Sequence, residues 1–174
     1  MKKIITVDGP AGSGKEKISK YIARKYKLYH LDSGLLYRRL AFELTKKNVK
    51  TFELNKIKKV LKNIKKLSLR KTATLRKEKI GKTASEIAKL DFVRYYINSQ
   101  QRLATKIPNK KEGFIIDGRD IGSVVFKKAN LKLYIDVDVN IRAKRRYKQL
   151  IDNGEKSIYL KILKDIKLRD KTDK

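Results

Sequence analysis

Ile4-Ile5-Thr6-Val7-Asp8-Gly9-Pro10-Ala11-Gly12-Ser13-Gly14-Lys15 is the stretch that decides the fold. An apolar, β-branched run passes into a glycine-rich loop, and the loop ends on a lysine that opens a helix. Strand, loop and helix in that order build a phosphate-binding P-loop. Gly9, Gly12 and Gly14 permit backbone angles that turn successive N–H groups inward around an anion. The helix beginning near Lys15 adds the positive end of its dipole, and the ammonium adds a point charge. The spacing Gly9-x4-Gly14-Lys15 follows Walker A as far as the lysine. Where that pattern continues with Ser or Thr, this chain has Glu16 followed by Lys17. The candidate phosphate-binding residues are Gly9, Ala11, Gly12, Ser13, Gly14, Lys15, Glu16 and Lys17.

Working outward from that loop, apolar periodicity predicts alternating strands and helices. Strand one covers Ile4 to Asp8, and a helix over Gly14 to Lys27 presents Ile18, Tyr21, Ile22 and Tyr26 on one face. A short second strand runs from Leu28 to Leu31, and a helix opens at Ser33 or Gly34 and reaches Lys47. A lysine-rich segment, 48–82, holds a helix over Leu54–Lys66 and two short strands near Leu67–Arg70 and Thr74–Ile80. One longer helix spans Thr83 to Thr105, followed by Pro108 and a polar turn. Gly113 to Asp117 is a third strand and Leu131 to Val137 a fourth. Helices over Ile141–Ile151 and Ser157–Arg169 flank a turn at Asp152-Asn153-Gly154. Strands separated by helices give a parallel sheet with right-handed crossovers. The expected organisation is one α/β domain over 1–174, with a core of 1–47 and 113–152, an insert and long helix over 48–112, and a lid end over 153–174.

The composition sets outer limits. The chain has 174 residues, enough for one domain with a real core. It has no cysteine, which excludes disulfides and thiolate metal sites and fits a reducing compartment. No apolar run approaches the roughly 20 residues that span a bilayer. Met1-Lys2-Lys3 leads straight into strand one and leaves no room for a signal peptide, so the expected location is the cytoplasm. The formal charge of +29 attracts polyanions nonspecifically. The 35 lysines are scattered, and the 12 arginines form no continuous stripe. Solvated lysine faces are the reading that pattern favours, with a nucleic-acid surface as the alternative.

Ligands bind at the carboxyl ends of strands in such a sheet. Asp8 and Gly9, Asp32 and Ser33, and Asp117 to Asp120 all fall there. Asp32-Ser33-Gly34-x-x-Tyr37-Arg38 sets a hydroxyl and a guanidinium about one helical turn apart, which suits a second phosphate. In Asp117-Gly118-Arg119-Asp120 an acid at the strand end is placed to orient a hydrated magnesium ion, and Asp120 to accept from an amine or a sugar hydroxyl. Arg142, Arg145 and Arg146 share a helix face and can screen charge that develops in phosphoryl transfer. His30, the only histidine, reads as a packed strand residue, and Tyr95-Tyr96 reads as core.

With these residues named, the chain resembles the bacterial cytidylate kinases, nucleoside monophosphate kinases of the P-loop class. The resemblance rests on Ile5 to Lys15, Leu31 to Arg38, Ser85 with Val93-Arg94, Ile116 to Phe126 and Arg142 to Tyr147. It implies a P-loop kinase sheet with a nucleotide-binding insert and an arginine-bearing lid. It also implies transfer of a phosphoryl group from ATP to CMP or dCMP with magnesium, by a monomer. By that resemblance Lys15, Arg119, Arg142 and Arg146 are catalytic, and the loop residues above hold ATP. Ser33, Arg38, Ser85, Arg94, Arg119 and Asp120 hold the acceptor nucleotide, and Asp117 serves the metal. Three features differ from the family pattern. Glu16-Lys17 stands where it has Gly or Ser followed by Thr, and the segment from Tyr37 to Ser85 is short. The last strand of the family's sheet is expected to be missing. A catalytically impaired nucleotide-binding protein, or a fragment, is a further alternative.

Overall fold

Eleven regular elements follow one another along the chain. They are β1 (Lys3–Asp8), α1 (Lys15–Lys25), β2 (Tyr29–Asp32), α2 (Ser33–Lys46), α3 (Leu54–Asn63), α4 (Glu78–Ile87), α5 (Asp91–Thr105), β3 (Gly113–Gly118), β4 (Leu131–Tyr134), α6 (Val139–Asp152) and α7 (Tyr159–Thr172). They come from a computed structural model that describes residues 2–152 and 154–172. Asn153 of the expected turn and Asp173 and Lys174 of the expected lid end lie outside the described residues. The strands form a four-stranded parallel sheet in the order β2-β3-β1-β4. β1 is therefore interior, paired with β3 from Lys3↔Gly113 to Asp8↔Gly118 and with β4 from Ile5↔Leu131 to Asp8↔Tyr134. Among the described residues, β4 pairs on one side only. The chain divides into two units, 1–30 with 111–174, and 31–110.

In the first unit the pleat sends alternate residues of β1 to opposite faces. Val7 and, from β3, Ile115 pack with Ala23 and Leu28. Thr6 and Asp8 face the other way, toward a π-helical turn at Ile121–Val125. The two oxygens of the Asp8 carboxylate accept the amides of Ile121 at 2.9 Å and Gly122 at 2.8 Å. A Cβ on Gly122 would lie 2.6 Å from the Thr6 hydroxyl oxygen, so this turn can seat on the sheet only with glycine there. Burial pushes the Asp8 carboxyl above its usual range, against the two amides and the charge of Lys15 that favour ionisation. Further along, Asp138 accepts the amides of Asn140 and Ile141 at 2.9 and 3.2 Å and caps α6. α6 and α7 close on Ala143, Leu150, Ile162 and Ile166.

The buried side of α1 differs from expectation. Of the four residues expected on that face, Ile22 packs against the Val7, Ala23 and Leu28 cluster, while Ile18, Tyr21 and Tyr26 are exposed at 37%, 58% and 56%, and the buried residues are Ser19 and Ala23. Small side chains let the helix lie close over the sheet, and the larger apolar ones are displaced to its flank.

The second unit is helical, around a core that includes Leu36, Leu40, Leu44, Ile57, Ile87 and Ile97. Neither short strand expected between Leu67 and Ile80 forms. The Leu67 amide donates instead to the Gln100 side chain at 3.0 Å, a 3₁₀ turn at Ala73–Arg76 wraps buried Leu75, and Ile80 belongs to α4. The single long helix expected over Thr83–Thr105 is two helices. Leu90 is extended, and Asp91 starts α5 with a carboxylate at its positive end. Tyr95 is 79% exposed rather than core, whereas the hydroxyl of half-buried Tyr96 donates to the Ile64 carbonyl at 2.7 Å. Among the described residues no helix is long and apolar enough to cross a membrane.

Asp8→Ala strips two buried amides of their acceptor and is expected to lower unfolding free energy by about 2 kcal/mol or more. The raised folded pKa sets the sign of the pH dependence, since the folded chain holds its proton more tightly than the unfolded one. The advantage of wild type over Asp8→Ala should shrink as pH rises from the ordinary carboxylate pKa through the raised one. Urea unfolding of both proteins across the acid range checks the size and the sign.

Candidate active site

The loop after β1 is shaped by what lies against it. A side chain at Gly9 would place its Cβ 2.4 Å from the Ile135 carbonyl oxygen, so the chain there must be bare. Gly14 caps α1 in the left-handed region, with φ of 89°, which turns the first helical amides toward the loop's mouth. Lys15 curls back so that its ammonium donates to the Pro10 carbonyl at 3.0 Å. Ser13 is buried, and among the described residues its hydroxyl has no hydrogen-bond partner. Glu16 lies along the helix in a 2.6 Å ion pair with Lys20, and Lys17 is exposed.

α6 reaches the loop through its arginines. The Arg145 guanidinium donates to the carbonyls of Gly12 and Ser13, both at 3.4 Å, and lies 3.7 Å from where a Gly14 Cβ would be. Arg142 is buried and almost wholly engaged. Its Nε donates to the Val137 carbonyl at 2.8 Å and one Nη to the Ala11 carbonyl at 3.4 Å. Both Nη groups form a two-pronged pair with Asp170 on α7, at 3.0 and 2.5 Å. Arg146 turns to Gln149 at 2.9 Å. The three arginines that share a face in the sequence thus divide their work. Arg142 ties α6, α7 and the loop together, and Arg145 is the one standing over the loop's mouth.

Asp117 ends the face of β3 that carries Ile115, beside Val7 of β1. It is buried, and its Oδ2 accepts from His30 Nε2 at 2.9 Å. Arg119 follows in a cationic neighbourhood. Burial first, then the charges of Arg169 and Arg142, pull its guanidinium down to about 9, against the opposing carboxylates of Asp170 and Asp120. It still carries its charge at neutral pH. A half-buried cation with two others close by favours an anion in its surroundings.

In the second unit the Asp32 carboxylate accepts the Leu35 amide at 3.2 Å and caps α2, which places buried Ser33 in the first turn. Arg38, five residues on, donates to the Leu75 carbonyl at 2.9 Å. Its guanidinium lies 3.1 Å from where a Cβ on Gly81 would be, so a side chain at residue 81 would press it aside by a few tenths of an ångström. Ser85 stands one turn further along α4, and Arg94 is half-buried on α5. Gly81 is the position beside Arg38 that pattern reading misses, and its one sequence signal is a glycine inside a helical segment.

These residues fit a nucleoside triphosphate and a hydrated divalent cation. The loop offers inward amides, an unpartnered buried hydroxyl and two cations, which is a receptor for phosphate oxygens. For the metal the donors are few. Position 16 has no hydroxyl, and among the described residues no group of three His, Cys, Asp or Glu side chains converges. A single strand-end carboxylate, Asp117, matches magnesium, which keeps several waters and binds through one or two carboxylates plus phosphate.

Fold and site together define a P-loop phosphotransferase. A sequence model of the cytidylate kinase family matches residues 5–174. The chain is 40% identical to the cytidylate kinase of Bartonella bacilliformis over 98% of its own length and 77% of that protein's. It is 36% identical to the cytidylate kinase of Fusobacterium nucleatum, covering 98% of this chain and 80% of that one, and 37% identical to that of Rickettsia bellii, covering 98% and 76%. The chain belongs to the cytidylate kinase family.

The Arg142–Asp170 pair lends itself to a direct check. Asp170→Ala leaves the Arg142 guanidinium buried without its counter-charge and should cost about 3 kcal/mol of stability. Thermal and urea unfolding measure it, and a loss under about 0.5 kcal/mol would mean the pair behaves as a surface contact.

Proposed function

We propose that this protein transfers the γ-phosphoryl group of ATP to CMP or dCMP, yielding ADP and CDP or dCDP, with magnesium as the metal. The observation that carries this reading is the P-loop with Arg145 and Lys15 over it, in a chain of the cytidylate kinase family. The loop amides of residues 11–15 bind the triphosphate, and Lys15 swings from the Pro10 carbonyl to a phosphate oxygen. Arg145 and Arg119 neutralise charge on the moving group, where positioning and electrostatics supply most of the acceleration. Arg142 acts through the Ala11 carbonyl and Asp170, holding loop and α7 in place, and Arg146 extends the cationic face of α6. Magnesium would offset phosphate charge here, and Asp117 is the residue that would hold it through its water shell.

The acceptor nucleotide falls to Ser33, Arg38, Ser85, Arg94, Arg119 and Asp120. Arg38, oriented by the Leu75 carbonyl, suits the phosphate of the acceptor, and Ser85 and Arg94 suit its base and sugar. Glu16 does not oppose the triphosphate, because Lys20 neutralises it along the helix. The protein works as a cytoplasmic monomer, and its lysine faces bind polyanions only nonspecifically.

A coupled ADP-release assay with magnesium and ATP, run with CMP, dCMP, UMP and AMP in turn, tests the reading. Turnover with CMP or dCMP well above the other acceptors is expected, and no turnover from folded protein would overturn it. Lys15→Ala should lower kcat by on the order of 10²-fold or more. Gly81→Ala, which presses a methyl group on Arg38, should raise KM for CMP about tenfold while KM for ATP stays within about twofold. An equal rise in both would place Arg38 outside the acceptor site.

A further inference from the structure

One buried pair of side chains is only half used by the chemistry proposed for this site. His30 sits on β2, whose neighbour in the sheet is β3, and its Nε2 approaches Asp117 Oδ2 at 2.9 Å. The two side chains are 11% and 4% exposed, so water contributes little to solvating either. A carboxylate this deep needs a donor, and the ring provides one from a neighbouring strand, a rigid support. The consequence is orientational. With Oδ2 tied to the imidazole, rotation of the carboxyl about its last bond is blocked, and Oδ1 is the oxygen left for a further partner.

The geometry points to His30 as a positioning residue for phosphoryl transfer. Its Nε2–H fixes the Asp117 carboxylate in the orientation that receives the water shell of the divalent cation bound with the nucleotide. The inference rests on the role proposed for Asp117 and adds to it the group that sets that residue's geometry. Partners one step removed from a metal typically change affinity or activity 10- to 100-fold when lost. A ring held only for packing would instead change stability and leave the dependence on the cation unaltered.

Two measurements on the full chain test it. Because His30 is the only histidine, a long-range proton–nitrogen spectrum of ¹⁵N-histidine-labelled protein without nucleotide or metal shows a single imidazole. A proton on Nε2, shielded from exchange, is expected, and an unprotonated Nε2 would overturn the proposal. The second measurement is a double-mutant cycle read by initial rates against magnesium concentration. His30→Phe should lower kcat about 10- to 100-fold and raise the magnesium concentration needed for half-maximal rate, with KM for CMP little changed. His30→Gln, which keeps a donor, should recover most of the loss and serves if the Phe variant does not fold. In an Asp117→Asn background the His30 substitutions should cost little more, since their effect runs through that carboxylate. Equal losses in both backgrounds would make His30 a packing residue and sink the inference. Full activity of Asp117→Asn alone would remove the metal role of Asp117 itself, a distinct failure that takes the inference with it, whatever the spectrum shows.

Discussion

The carboxylate of Asp8 holds the amides of Ile121 and Gly122 on one face of the sheet, and much of the first unit depends on that grip. Asp8 is the last residue of β1, and the next residue, Gly9, meets the Ile135 carbonyl beyond β4 so closely that no side chain fits. A strand end bound on both sides in this way cannot shift without moving two loops. The start of the P-loop, the turn that follows Asp117-Gly118-Arg119-Asp120 and the approach to α6 are thereby fixed to one strand end. Phosphoryl transfer depends on groups brought to within fractions of an ångström, and a buried carboxylate with two short amide bonds is a stiff reference point for them.

Charge is used in two distinct ways along the chain. Most of the +29 is carried by lysines such as those of α3, exposed around a buried apolar stripe of Ile57, Val60 and Leu61. Exposed charges of that kind are screened within about a Debye length and set solubility more than structure. The arginines near the phosphate loop are different. Arg142 is buried and saturated with acceptors, while burial and neighbouring cations weaken the hold of Arg119 on its proton. A guanidinium fork matches both a carboxylate and a phosphate, so the residue type that clamps α6 to α7 here is also suited to receive an anion. In this cluster Asp170 supplies counter-charge to Arg142, and a phosphoryl group arriving near Arg119 would relieve the repulsion that remains.

The phosphate loop was legible in the sequence because its requirements are local. Spacing of Gly9, Gly12, Gly14 and Lys15 follows from backbone angles and close approach, and both are written in residue type. The parallel sheet and the clustering of polar residues at its strand ends followed from the alternation of elements. What stayed hidden depends on contacts between distant residues. The Leu67 amide is claimed by the Gln100 side chain, which turns an apparent strand into irregular chain. The division of labour between Arg142 and Arg145 is decided by Asp170 and by the loop carbonyls, and spacing alone makes the two equivalent. The same holds for His30, a plain strand residue by pattern, whose partner Asp117 lies 87 residues away. On α1 only Ile22 of the expected face packs inward, and Ile18, Tyr21 and Tyr26 lie outside because small Ser19 and Ala23 allow closer packing.

One observation bears on the proposed chemistry without coupling enzymes or labels. Phosphorus NMR of the protein with magnesium, ATP and CMP in a single tube follows every phosphate at once. Direct transfer to CMP predicts that the β-phosphate of CDP appears at the rate at which the γ-phosphate of ATP disappears, with no inorganic phosphate formed. Release of inorganic phosphate with CMP unchanged, or an unchanging spectrum from folded protein, would contradict it.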